Sequence, residues 1–104
     1  DSPVYAFAEE LVKNTIINIE QIEGEIDKLA DNWDLKDIAM LDRSILSLAA
    51  YELLYTDTPA AVVINEAIEI AKKFSCEASG KFINGILDAL HKEIKQKQQG
   101  NLTT

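Results

Sequence analysis

Few residues in this chain are equipped for covalent or metal chemistry. His91 is the only histidine and Cys76 the only cysteine in 104 residues, and that pair cannot build a structural zinc site. Cys76 has no histidine near it in sequence to take its proton, so it reads as a small apolar filler. His91 falls near the end of the last helical pattern. A positive charge there suits the helix dipole, and the residue reads as solvent-facing. A lone cysteine also excludes an intrachain disulfide and fits a reducing cytoplasm. Gly80-Lys81 is not a phosphate loop, because the upstream glycine is absent and neither Ser nor Thr follows the lysine. The carboxylate pairs Glu9-Glu10 and Glu66 with Glu69 sit on helix faces and read as solvated surface. Catalysis, a cofactor and a metal are therefore not expected.

Three groups carry more information. Asp42-Arg43 opens a helix beside an apolar stripe, where an acid is favoured by the dipole. Asn65-Glu66 begins a helix whose remainder is apolar, and a buried Asn there would satisfy a loop carbonyl. Ser79-Gly80-Lys81-Phe82 puts small residues, a base and an aromatic at a helix start, a grouping able to hold a phosphate and stack a nucleobase. Core packing of Phe82 is the competing reading.

The elements that must position these groups are all helices. Tyr5, Val12, Ile19, Ile26 and Trp33 recur every seventh residue, with Ala8, Thr15, Ile22 and Leu29 as a second row. Together they form one face of a long helix. Ser2 with Pro3 makes its start, and Gly24 is expected to kink or end it. Asp31-Asn32 breaks the pattern, and Asp34 caps a short turn from Leu35 to Met40. A further stripe runs from Leu41 to Leu54. Asp57-Thr58-Pro59 stops it and restarts the chain, with Thr58 as cap and Pro59 in the next first turn. Val63 to Phe74 follows, then a boundary at Ser75 or Glu77, then Phe82 to Ile94. No stretch alternates with period two. The expectation is an all-α, compact bundle of about five helices, with one domain over residues 1–94 and a polar, frayed tail over 95–104.

Composition agrees with one globular domain: 47% hydrophobic and 27% charged residues, with 4 Gly and 2 Pro. No apolar run approaches the roughly 20 residues of a membrane span. The opening Asp1-Ser2-Pro3 is not a signal peptide, and the missing initiator Met suggests residues upstream. Formal net charge is −8, unevenly spread: residues 1–80 hold 16 acids and 6 bases, whereas residues 81–104 hold 2 acids and 4 bases. An acidic body repels phosphate backbones and attracts basic partners.

Leu41-Asp-Arg-Ser-Ile-Leu-Ser-Leu-Ala-Ala-Tyr-Glu-Leu-Leu-Tyr55 resembles the signature of the NusB family of transcription antitermination factors. Val63-Ile-Asn-Glu-Ala-Ile-Glu-Ile-Ala-Lys-Lys-Phe74 and Ser79-Gly-Lys-Phe-Ile-Asn-Gly-Ile-Leu-Asp88 continue it in order and at the right spacing. The chain looks like the C-terminal helical half, without the family's N-terminal arginine-rich helix. The resemblance implies an all-helical, non-enzymatic, cytoplasmic adaptor. Such an adaptor pairs with the tenth protein of the small ribosomal subunit (NusE) and binds boxA RNA of ribosomal RNA operons. It acts within the RNA polymerase antitermination complex. Ser79, Lys81 and Phe82 fall at the family's RNA-contacting positions, whereas Ala78 stands where some members carry an acid. Asp42 matches an acidic position facing the ribosomal protein, with Asp37 nearby. This chain alone is expected to bind RNA weakly, and to self-associate through an exposed apolar face.

Two other readings fit the same residues. NusB-like domains also front ribosomal-RNA cytosine methyltransferases, which need a cofactor domain downstream. The polar ending has no Gly-rich strand-turn-helix pattern, and as a true terminus it would end that reading. A helical protein-interaction module with no RNA role is the third.

Overall fold

The computed structural model describes residues 2–30 and 38–103, with side chains up to residue 100. Five helices follow one another: α1 (Pro3–Ile17), α2 (Ile19–Leu29), α3 (Met40–Tyr55), α4 (Ala60–Phe74) and α5 (Glu77–Thr103). No strand occurs among the described residues, in agreement with the all-α expectation. The chain breaks between Tyr55 and Ala60 and between Phe74 and Glu77, where the stop signals placed the boundaries. The break expected near 31–34, with Trp33 and the turn after Asp34, lies outside the described residues.

Local chemistry explains most boundaries and corrects two. The Ser2 hydroxyl accepts from the Tyr5 amide at 3.2 Å, and Pro3 occupies the first turn of α1, as its fixed φ permits. The stripe does not break at Gly24, which lies inside α2. It breaks at Asn18, whose side-chain amide donates to the Asn14 carbonyl at 2.8 Å. Asn competes for backbone carbonyls in this way. The β-branched run Thr15-Ile16-Ile17 just before it is also weakly helical. At the start of α4, Pro59 is the cap residue and Thr58 makes no capping bond. Pro59 has an extended ψ of 135°, and its carbonyl accepts from the amides of Val62 and Val63. Thr58 instead donates its amide to the Thr56 hydroxyl, which closes the turn. Residues 95–103, expected as a polar tail, continue α5 as helix. At 27 residues α5 spans about 40 Å, close to the longest dimension of 44 Å.

Helix α3 is central and packs on α1, α2, α4 and α5. The fully buried large side chains are Ile22 and Ile26 of α2, Leu46 of α3, and Ile83, Leu87 and Leu90 of α5. Each stabilises the fold by about 1.5–3 kcal/mol through removal from water. Helix α4 adds Val63, Ile64, Ala67 and Ala71, whose small or branched side chains let it lie close on α5. Helix α1 buries only Thr15, whose hydroxyl is satisfied by the Leu11 carbonyl at 2.7 Å. Its apolar residues Val4, Tyr5, Phe7, Ile16 and Ile17 are all at least 64% exposed. The expected exposed face is therefore present.

Candidate nucleic-acid and partner interface

The first turns of α3 and α5 meet at one point. Asp42 stands in the first turn of α3, and Ser79 near the start of α5. Each is 7% exposed, and the Ser79 hydroxyl donates to Asp42 Oδ2 at 2.7 Å. Sequence reasoning gave these residues to separate surfaces, Asp42 to a protein partner and Ser79 to RNA. The fold joins them beneath the surface. A helix start carries partial positive charge, so one carboxylate between two starts stabilises both. Asp42 Oδ1 is buried without a hydrogen-bond partner.

Ser79 also lies 2.9 Å from the Ser75 hydroxyl and 3.3 Å from Cys76 Sγ. Its hydroxyl has one proton. With that proton on Asp42, Ser79 accepts from Ser75 and Cys76. The thiol of Cys76 is exposed and lies below its ordinary pKa, first through the Ser79 hydroxyl and then through the Ser79 amide. Thiolate and Asp42 thus compete for one serine proton. Cys76, read as an apolar filler, is instead an exposed, polar-contacted group.

Lys81 is exposed one turn into α5. The neighbouring Phe82 is half-buried and packs against the core, so only part of its side chain is open to solvent. His91 is half-buried rather than freely solvent-facing, and Asn65 is exposed rather than buried. Asp37 lies outside the described residues. Arg43 follows Asp42 and pairs with Glu23 of α2, which ties the start of α3 to its neighbour. Val12, Ile16, Ile19, Met40 and Leu48 line an apolar cleft of about 660 Å³ between α1, α2 and α3, with Arg43 and Glu23 at its side. No motif marked this cleft in sequence, because its lining comes from three helices. Lys72 and Lys73 were also passed over, although two consecutive bases at a helix end are a visible signal in so acidic a chain. The arrangement offers exposed bases, aromatic surface and buried hydroxyl–carboxylate contacts. Among the described residues no group of His, Cys, Asp or Glu could hold a metal ion, and no helix is long and apolar enough to cross a membrane.

A profile described as the NusB family matches residues 1–92. The chain belongs to the NusB family. Similar proteins carry the name transcription antitermination protein NusB. One, from Desulfitobacterium hafniense, is 48% identical over 93% of this chain and 67% of its own length. Another, from a Nitratiruptor species, is 46% identical over 89% of this chain and 67% of its own. A third, from a Geobacter species, is 43% identical over 94% and 68%. No solved structure matches significantly. Family membership extends over α1 and α2 as well as the signature helices, further than the motifs alone carried it.

Proposed function

We propose that this chain acts in transcription antitermination as a non-enzymatic, cytoplasmic adaptor. It pairs with a basic small-subunit ribosomal protein (NusE) and contributes to boxA RNA binding within the antitermination complex. The observation that carries this reading is the 43–48% identity to transcription antitermination proteins across nearly the whole chain. The exposure of Lys81 beside the half-buried ring of Phe82 supports an RNA role for the start of α5. Ser79 is buried with its hydroxyl on Asp42, so its part would be to hold the starts of α3 and α5 together and not to touch RNA.

The partner role of the α3 start rests on Asp42 and Asp37, whose charge, with the net −8 of the chain, would steer a basic protein. Asp42 is buried, so its charge acts on the partner mainly through the field and the helix starts it holds. Asp42→Lys would bury a positive charge at two positive helix ends and would test folding more than binding. Asp37→Lys is the cleaner probe and should slow association in calorimetry and stopped-flow measurements. An unchanged rate and affinity would remove Asp37 from the partner face.

The RNA role is tested by titrating boxA RNA into the complex with the ribosomal protein, with melting recorded on the same variants. Lys81→Ala should lower the salt slope by about 0.7, the share of one phosphate on a single strand. Phe82→Ala should weaken binding by about 1–3 kcal/mol if the ring edge stacks on a base. A lowered melting temperature with unchanged RNA affinity, measured where the variant is folded, would make Phe82 a packing residue only.

A further inference from the structure

Helix α4 ends on Lys72-Lys73-Phe74, and the stem of Lys72 leaves α4 to lie across Gly80 in the first turn of α5. A Cβ at Gly80 would sit 3.2 Å from Lys72 Cγ and 3.6 Å from Lys72 Cε. Gly80 is buried although Lys72 itself is exposed. The long stem therefore covers backbone while the ammonium stays in water. One bond beyond Cε, that ammonium stands over the start of α5, next to the turn that carries Lys81. Lysines in the last turn of a helix ordinarily favour its own carbonyl end. Lys72 instead reaches toward the positive end of the next helix. Among the described residues neither Lys72 nor Lys81 has an ion-pair partner. Lys73 is held nearby, its ammonium 5.4 Å from the centre of the Phe74 ring. Residues 1–80 contain only 6 bases against 16 acids, so this local excess of positive charge stands out. Glu69 lies beside Lys72 and Lys73, and Glu77 and the buried Asp42 stand at the start of α5.

We propose that Lys72 is a second phosphate-binding residue of the RNA track, placed beside Lys81 by its passage over Gly80. This rests on the RNA reading of Lys81. The ligand is the phosphodiester backbone of single-stranded RNA. Two lysines from adjoining helix ends engage neighbouring phosphates. The arrangement is opposed by mutual repulsion in the free chain and favoured once an anion is bound. Such contacts position a strand without reading its sequence.

The test is fluorescence titration of labelled boxA RNA, and of a scrambled RNA of equal length, into the complex with the ribosomal protein at several salt concentrations. Lys72→Gln should lower the salt slope by about 0.7 on both RNAs, with melting little changed because Gln keeps the part of the stem nearest Gly80. Gly80→Ala should reproduce part of this loss with Lys72 still present, since the new methyl displaces its stem. A Lys72→Gln variant with wild-type slope and affinity, while Lys81→Ala lowers both, overturns the proposal and spares Lys81. Loss at Lys72 with Lys81→Ala silent overturns the pairing of the two lysines, because the Lys81 reading on which it rests has then failed. If both variants are silent while RNA still binds, the Lys81 reading falls and takes this one with it.

Discussion

The hydroxyl of Ser79 makes three choices visible at the scale of single residues. It donates to a buried carboxylate and accepts from a hydroxyl and a thiol. Asp42→Ala would remove the buried carboxylate that accepts the Ser79 proton and withdraw negative charge from two helix starts. A loss of about 1–3 kcal/mol is expected in urea melts. Glu52 presents a different case. Burial first, and the charge of Glu66 second, raise its carboxyl above the usual value. Its folded form therefore holds a proton more readily than the unfolded chain. Near neutral pH the ionised group costs stability, and the cost is relieved as pH falls through the raised folded value toward the unfolded one. Glu52→Gln should stabilise the protein slightly at pH 7. The gain should vanish in acid once Glu52 is protonated in both states, as melting against pH would show. The effect is small because the side chain is only partly buried and water screens its charge.

The helices carry their own predictions. Gly24 lies inside α2 without a positive φ, and a Cβ there would meet nothing within 4 Å. Gly24→Ala should raise stability by about 1 kcal/mol, the helix-propensity difference, in chemical denaturation. A smaller gain would mean that the α2 backbone at Gly24 does not accept a side chain freely. Leu87 is fully buried between α5 and its neighbours, and Leu87→Ala should cost about 2–5 kcal/mol. The start of α1 was legible because Ser2 and Pro3 act through local bonds and a fixed torsion. The α1–α2 break was not legible at Gly24, because a glycine costs propensity without supplying a competing bond, whereas Asn18 supplies one.

At the scale of the molecule, an acidic body carries bases at the α4–α5 junction and along α5, and its first helix is left largely uncovered. Val4, Phe7, Ile16 and Ile17 expose apolar surface on α1, and Met40, 84% exposed, continues it at the start of α3. A patch of that kind favours association. Sedimentation should show mass rising with concentration, and Phe7→Lys with Ile16→Glu should suppress it while leaving melting nearly unchanged. A clean monomer at high concentration would assign this surface to some other neighbour.

Helix type and most boundaries of the described residues followed from the sequence, because periodicity and caps are short-range and each is written in a few adjacent residues. The candidate residues at 79, 81 and 82 were named from their types and from a resemblance in their order. Tertiary structure alone decided which surfaces they share. Asp42 and Ser79 are 37 positions apart, and only the packing of α3 against α5 brings their side chains within a hydrogen bond. The same packing puts the Phe82 ring partly against the core and lays Lys72 over Gly80. Burial and long-range contact depend on how helices stack, and a one-dimensional pattern of charge and hydropathy holds no record of that.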